Sequence, residues 1–160
     1  MMKKSFLVLL VLLLHTAVFS QDIKLFESYL RLNDLSSRYV VVLEDNSIWW
    51  FAPEEPWKKS SVDGLPENYS IKHISCYSKE DGESRYVVAL EDNSIWWFAP
   101  GQPWKRSSVE GLPEQFKINQ LKAYSKVSGT RYVVVLEDNS IWWFAPGQPW
   151  KKSSVDGLPK

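Results

Sequence analysis

The chain has 160 residues, with 19 basic and 19 acidic side chains and a formal charge of zero. That balance, with the charges interspersed, leaves no polybasic field to argue for nucleic acid. The only cysteine is Cys76, which excludes an intrachain disulfide and leaves packing to hold the fold.

The first twenty residues read as a secretory signal peptide. Lys3 and Lys4 precede an apolar run from Phe6 to Leu14, and small residues follow at Ala17 and Ser20. The run is too short for a membrane span. Cleavage after Ser20, with cleavage after Ala17 as the alternative, is expected to leave Gln21 at the new N-terminus, with 17 basic and 19 acidic residues in the remaining chain. A secreted or periplasmic protein without a membrane span is expected.

From residue 21 the chain repeats. A block of 29 residues stands at 38–66, 85–113 and 131–159, and its opening arginines, Arg38, Arg85 and Arg131, are 47 and 46 residues apart. A period of that length signals a repeat architecture. The first and third blocks differ only where Glu54-Glu55 is replaced by Gly147-Gln148. All nine tryptophans lie in the blocks, three in each. The units run at about 21–69, 70–116 and 117–160.

Each unit predicts four short strands and no helix. In the first, "IKLFESYL" is a strand in the more divergent connector, with apolar residues at near-alternate positions. "YVVVL" is β-branched and aromatic. "EDNS" is a hairpin turn, with Asp45-Asn46 tolerating positive φ. "SIWWFA" is the returning strand, which proline ends. "WKKSSV" is a third short strand of the block, and "DGLP" turns out of it. Leu43, Leu90 and Leu136 before the turn, and Ile48, Ile95 and Ile141 after it, are expected in the core.

The hairpin strands are apolar on both faces. Tyr39, Val41 and Leu43 point one way and Val40 and Val42 the other; Ile48 and Trp50 oppose Trp49 and Phe51. A half-wet sheet alternates polar and apolar, so two apolar faces predict sheets packed between neighbours. Aligning the connectors puts Ser28, Cys76 and Ala123 at one position, so Cys76 reads as a small buried residue. His73 aligns with Leu25 and Gln120 and is no recurring chemical part.

The order "INQLKAYS", "YVVVLEDNSIWWF", "PWKKSSVDGLP" resembles a β-propeller blade of the tectonin or related lectin-like kind, over nearly all of residues 23–160. The resemblance implies an all-β fold of three four-stranded antiparallel repeats. Propellers typically close with four to eight blades, and three units fall short. The resemblance therefore implies two chains joined head to tail, a homodimer closing a six-bladed ring. A β-trefoil, which closes with three repeats, is the other architecture that units of about 46 residues suit.

No histidine recurs, and the recurring acids are Glu44, Asp45, Asp63 and their counterparts. The "LEDNS" run lacks the alternating spacing of a calcium loop, and a hairpin turn accounts for it. No enzyme activity, metal or cofactor is expected. Binding is better supported, because aromatic faces stack on sugar rings while arginine, glutamate and asparagine bond hydroxyls. Core packing does not need an arginine opening each strand, so Arg38, Arg85 and Arg131 are candidate ligand residues. Trp57, Trp104 and Trp150 join them, each following a proline at a strand end and preceding Lys58, Lys105 or Lys151. The expected function is an exported, multivalent, non-catalytic carbohydrate-binding protein with a glycan or cell-surface ligand and no nucleic acid. A protein-interaction scaffold on the same surface is the alternative.

Overall fold

The structure is a computed structural model that describes residues 21–126 and 129–157. The leader expected over residues 1–20 lies outside them. The described chain is all-β. The first sheet holds β1 (Ile23–Arg31), β2 (Ser36–Leu43), β3 (Ile48–Phe51) and β4 (Lys58–Lys59). The second holds β5 (Ile71–Ser78), β6 (Ser84–Leu90), β7 (Ile95–Phe98) and β8 (Lys105–Arg106). The third holds β9 (Ile118–Lys126), β10 (Gly129–Leu136), β11 (Ile141–Phe144) and β12 (Lys151–Lys152).

Every sheet is an antiparallel meander in chain order. No strand of one sheet pairs with a strand of another among the described residues, so the shared barrel of a β-trefoil is not formed. The expected all-β, three-by-four organisation is what the chain adopts.

The hairpin register follows from the alternation. Tyr39 faces Phe51, Val40 faces Trp50, Val41 faces Trp49 and Val42 faces Ile48. The turn is longer than the two residues expected. Leu43 N donates to Ser47 O at 3.0 Å and Asn46 N to Leu43 O at 2.8 Å, leaving a three-residue loop. Only its last residue is left-handed, with φ of 61° at Asn46, 64° at Asn93 and 62° at Asn139. Asp45 Oδ1 accepts the Ser47 amide at 2.9 Å, the local bond for which aspartate suits turns.

The outer strand is also shorter than "WKKSSV". In the first sheet only Lys58 and Lys59 pair with Trp50 and Trp49, and one further bond joins Ser60 N to Ile48 O at 2.8 Å. Beyond it the carbonyls turn to another acceptor role. Asp63 O takes the amide of Trp104 at 2.7 Å, and Ser61 O takes the Trp104 indole at 2.9 Å. The exit loop belongs to the junction with the next sheet.

The sheets stack face on face. One apolar cluster joins Val40, Val42 and Ile48 of the first sheet to Ile74, Tyr86, Phe98 and Trp104 of the second. A matching cluster joins Val87, Ala89 and Ile95 of the second to Leu121, Tyr132, Phe144 and Trp150 of the third. A fully buried Ile or Val contributes about 1.5–3 kcal/mol, so the junctions hold much of the stability. Ile48, Ile95, Leu90 and Leu136 are buried as expected. Leu43 and Ile141 are only half-buried, because they lie toward the two ends of the stack. Cys76 is buried in the first junction, and burial pushes its thiol well above the ordinary value.

Hydrogen bonds cross the junctions at matching places. Asn46 Oδ1 accepts Ile71 N at 3.0 Å, and Asn93 Oδ1 accepts Ile118 N at 2.9 Å. Tyr29 donates to Ser84 Oγ at 2.6 Å, and the Tyr77 hydroxyl lies 3.0 Å from that of Thr130. The turn asparagine thus closes its own hairpin and anchors the inner strand of the next sheet.

Candidate functional site

The outer part of each junction opens into a cleft. The first has a volume of about 530 Å³ and the second about 400 Å³. Their arginine, aromatic and proline walls repeat. Tyr29, Arg38 and Trp50 come from the earlier sheet of the first cleft and face Tyr86, Phe98 and Pro100 of the later one. Tyr77, Arg85 and Trp97 face Tyr132, Phe144 and Pro146 in the second. Ser60 and Ser61, or Ser107 and Ser108, add polar edges.

The strand register puts these groups together. Arg38 opens the part of β2 that pairs with Tyr29 on β1. Trp50 lies on β3 opposite Lys58, near the outer edge of the sheet. Its ring is half-buried, and the Lys58 ammonium sits 5.0 Å from the ring centroid. Lys105 and Lys151 lie 5.2 and 5.4 Å from Trp97 and Trp143. Each lysine is a cation–π partner of a ring that is itself only half-buried.

The neighbouring tryptophans are pinned instead. Trp49, Trp96 and Trp142 donate their indole N–H to Ser47, Ser94 and Ser140 at 3.0, 2.8 and 2.8 Å. In each Trp-Trp pair, the first ring is tied down by a serine of its own hairpin, and the second turns toward the cleft in the first two units.

Arg38 and Arg85 are mostly covered, with side chains 11 % and 15 % exposed. Arg38 lies 3.6 Å from the Asp34 carboxylate. Arg85 Nη2 donates to Glu83 at 2.6 Å, and that bond is the main cause holding the Glu83 carboxyl below its ordinary value. Arg131 donates to its neighbour's carbonyl, Thr130 O, at 2.9 Å. A guanidinium carries five N–H donors, so one acid partner orients the group without exhausting it.

The structure separates the six residues singled out from the sequence. Arg38 and Arg85 line the clefts; Trp57, Trp104 and Trp150 do not. Trp104 and Trp150 are each 3 % exposed, and their indoles donate to Ser61 O and Ser108 O. Only Trp57 has the half-open ring expected of a strand end, at 44 %. The reason is the exit loop of the preceding sheet, which folds over the later two rings. Arg131 carries its guanidinium 6.0 Å from the Trp143 ring, on the last sheet of the chain.

The cleft residues that sequence reasoning passed over are Trp50, Trp97, Tyr29 and Tyr77. Alternation places Trp50 on the face of Val40 and Val42, which read as core; that the face opens at its outer edge depends on the next sheet. The "DGLP" glycine was the available signal for the buried rings. A Cβ on Gly64 would stand 2.4 Å from Trp104 O, so the loop approaches the next sheet closely.

The clefts share no acid pair. Glu55 and Glu83 line the first, but no carboxylate lines the second, and the counterparts of Glu55 are Gln102 and Gln148. Among the described residues, no group of three or more His, Cys, Asp or Glu side chains is placed to hold a metal. A third, smaller hollow of about 260 Å³ lies among Phe26, Glu27, His73 and Lys122 on the inner strands. Its residues are those that diverge between units, so it is no repeated site.

No protein-family model and no curated protein sequence matches the chain. Among solved structures it is similar in fold to a fucose lectin from Kordia zhangzhouensis determined in complex with methyl-fucoside. The TM-score is 0.53 at 13 % identity, over 81 % of this chain and 97 % of that one. At that identity the likeness is one of fold.

Proposed function

We propose that the protein is a non-catalytic carbohydrate-binding protein whose equivalent sites are the clefts between adjacent sheets. The observation that carries the reading is the shared wall of the two clefts: an oriented arginine, a half-open indole and a Tyr-Phe-Pro floor. The indole and the floor suit the C–H face of a sugar ring, and the guanidinium and serine groups suit its hydroxyls. Volumes of about 530 and 400 Å³ accommodate a monosaccharide with its neighbours.

The fold likeness to a fucose lectin supports the same class of ligand and makes deoxyhexoses the first sugars to test. The leader-like first twenty residues support an extracytoplasmic location, secreted or periplasmic. No helix among the described residues is long and apolar enough to cross a membrane. Repeated sites give avidity on a surface that presents many copies of one sugar.

The test is a titration of tryptophan fluorescence with methyl-fucoside and a panel of other monosaccharides. A saturable change with one sugar class, lost when Trp50 and Trp97 are replaced, is expected. Indifference to every sugar would overturn the reading in favour of a protein-interaction scaffold.

A further inference from the structure

The two ends of the stack carry the halves of a junction that is not made among the described residues. At the first sheet, Ile23 is 61 % exposed and Phe26 59 %. Their counterparts facing a preceding sheet, Ile71 and Ile118, are 0 % exposed, and Ile74 and Leu121 are 5 % and 4 %. Phe26, Tyr39, Phe51 and Trp57 form a continuous aromatic run across this uncovered face, with successive ring centroids 6.2, 6.0 and 5.3 Å apart. At the other end, Val133, Val135 and Ile141 of the third sheet are half-buried. The same positions in the first and second sheets are sealed inside junctions.

The polar parts are left open in the same complementary way. Asn46 and Asn93 each accept the amide of the isoleucine that starts the next sheet. Asn139 is the third of that series, and Ile23 supplies the matching amide at the other end of the chain. Gly64 and Gly111 lie so close to Trp104 and Trp150 that an added Cβ would meet a carbonyl at 2.4 Å. Gly157 holds the same loop position at φ 86°, yet nothing among the described residues lies within 4 Å of its Cβ direction. The tryptophan that would fill that space is Trp57, the exposed member of its series.

We infer that two copies of this chain dock head to tail, twice, closing a ring of six sheets. Large apolar faces of this kind are seldom bare on monomers, and a head-to-tail contact forms a ring only if its rotation closes. The number of copies follows from the three sheets among the described residues of each copy. Rings of such sheets typically close with about four to eight, and six is the one multiple of three in that range.

Each new junction completes a third cleft that neither copy holds alone. Tyr124, Arg131 and Trp143 come from one chain, and Tyr39, Phe51 and Pro53 from the other. This consequence rests on the cleft reading above; the assembly itself does not.

The test is sedimentation of the chain purified from a host that exports and processes it, with no sugar added, over a wide concentration range. A mass twice that of one chain is expected for the unaltered protein. Ile23→Lys and Trp57→Ala, both on the exposed face, are expected to give folded monomers with an unchanged β-sheet circular-dichroism spectrum. A monomer or a trimer for the unaltered chain would overturn the inference, as would a dimer insensitive to both substitutions. Where a sugar binds, the ratio of sugar to chain is expected to be three in the dimer and to fall to two in the monomeric variants. An unchanged ratio would overturn the shared cleft. Sedimentation without sugar separates failure of the assembly from failure of the sugar reading.

Discussion

The indole N–H of Trp104 donates to the main-chain carbonyl of Ser61 at 2.9 Å, across the junction between the first two sheets. Trp150 and Ser108 repeat the bond at 2.8 Å. Each ring also packs on a phenylalanine of its own sheet, with centroids 5.2 and 5.3 Å apart. The tryptophan is therefore a clamp between units.

Replacing that clamp gives the first prediction. Trp104→Ala removes a buried ring and should destabilise the protein by about 3–5 kcal/mol. Trp104→Phe keeps much of the packing but removes the donor to Ser61 O, which lies on an exposed residue, at a cost of about 0.5–1.5 kcal/mol. Denaturant unfolding at one fixed protein concentration checks both, since any self-association makes stability depend on concentration. Near-normal stability of Trp104→Ala would show that the ring does not hold the junction.

A second prediction contrasts two glycines with positive φ. Gly147 has φ 79° and open space around its Cβ direction. Its counterpart in the first unit is Glu54, which already holds φ 67° with a side chain. Gly147→Ala should therefore cost only the backbone strain of a left-handed residue, about 1–2 kcal/mol. Gly111 has a similar strain at φ 95°, but an added Cβ would lie 2.4 Å from Trp150 O. Gly111→Ala should cost about 1–3 kcal/mol more, as an overpacked contact does. Equal melting temperatures for the two variants would contradict this geometry.

Much of the sheet was legible because its cause is local. Alternating apolar residues set the pairing of Val40 with Trp50 and Val42 with Ile48, and the asparagine of "EDNS" marked the left-handed turn position. What sequence reasoning missed depends on neighbouring sheets. Trp57, Trp104 and Trp150 stand in nearly identical sequence, yet only the last two are buried, because only they have an exit loop above them. The same reason hid Trp50 and Trp97: a mid-strand ring on an apolar face reads as core until the next sheet is seen to part from it. The arginines were legible because packing did not require them, but Asp34 and Glu83, which orient two of them, lie in the divergent connectors.

The pH dependence of stability should have two limbs. Burial raises the phenols of Tyr77, Tyr86 and Tyr132 above the ordinary 10.0. A raised folded value means that their contribution is fully present below the unfolded value and is lost as pH rises through the folded one. Stability should therefore fall once pH exceeds about 10, and these phenols should ionise only as the chain unfolds. The carboxyls of Asp45 and Asp138 are held below the ordinary 3.8, chiefly by hydrogen bonds from Ser47 and Ser140. Their contribution is present above the unfolded value and is lost as pH falls through the lowered one. Unfolding midpoints across the pH range, with phenolate absorbance followed in parallel, check both limbs. Titration of every tyrosine near 10 in the folded protein would contradict the burial described for these three.

The cleft arginines provide the most direct test of the site. Arg85 is oriented by Glu83, and its guanidinium lines the second cleft beside Trp97. Arg85→Gln removes the charge while retaining an amide that can bond. Glu83 is 35 % exposed, so water can replace the lost partner and the fold should survive. Losing a charge-assisted hydrogen bond costs about 1.5–3 kcal/mol, which corresponds to about 10- to 100-fold weaker binding at that cleft. The first cleft keeps Arg38 but is also lined by Glu83, which loses its arginine partner, so the titration should resolve into a less affected and a strongly weakened class of sites. Combining Arg38→Gln with Arg85→Gln should weaken both. Trp104→Phe, which leaves the cleft walls in place, should shift stability without dividing the sites in this way. If the double arginine variant is folded and binds sugar with unaltered affinity, the ligand site lies elsewhere on the molecule.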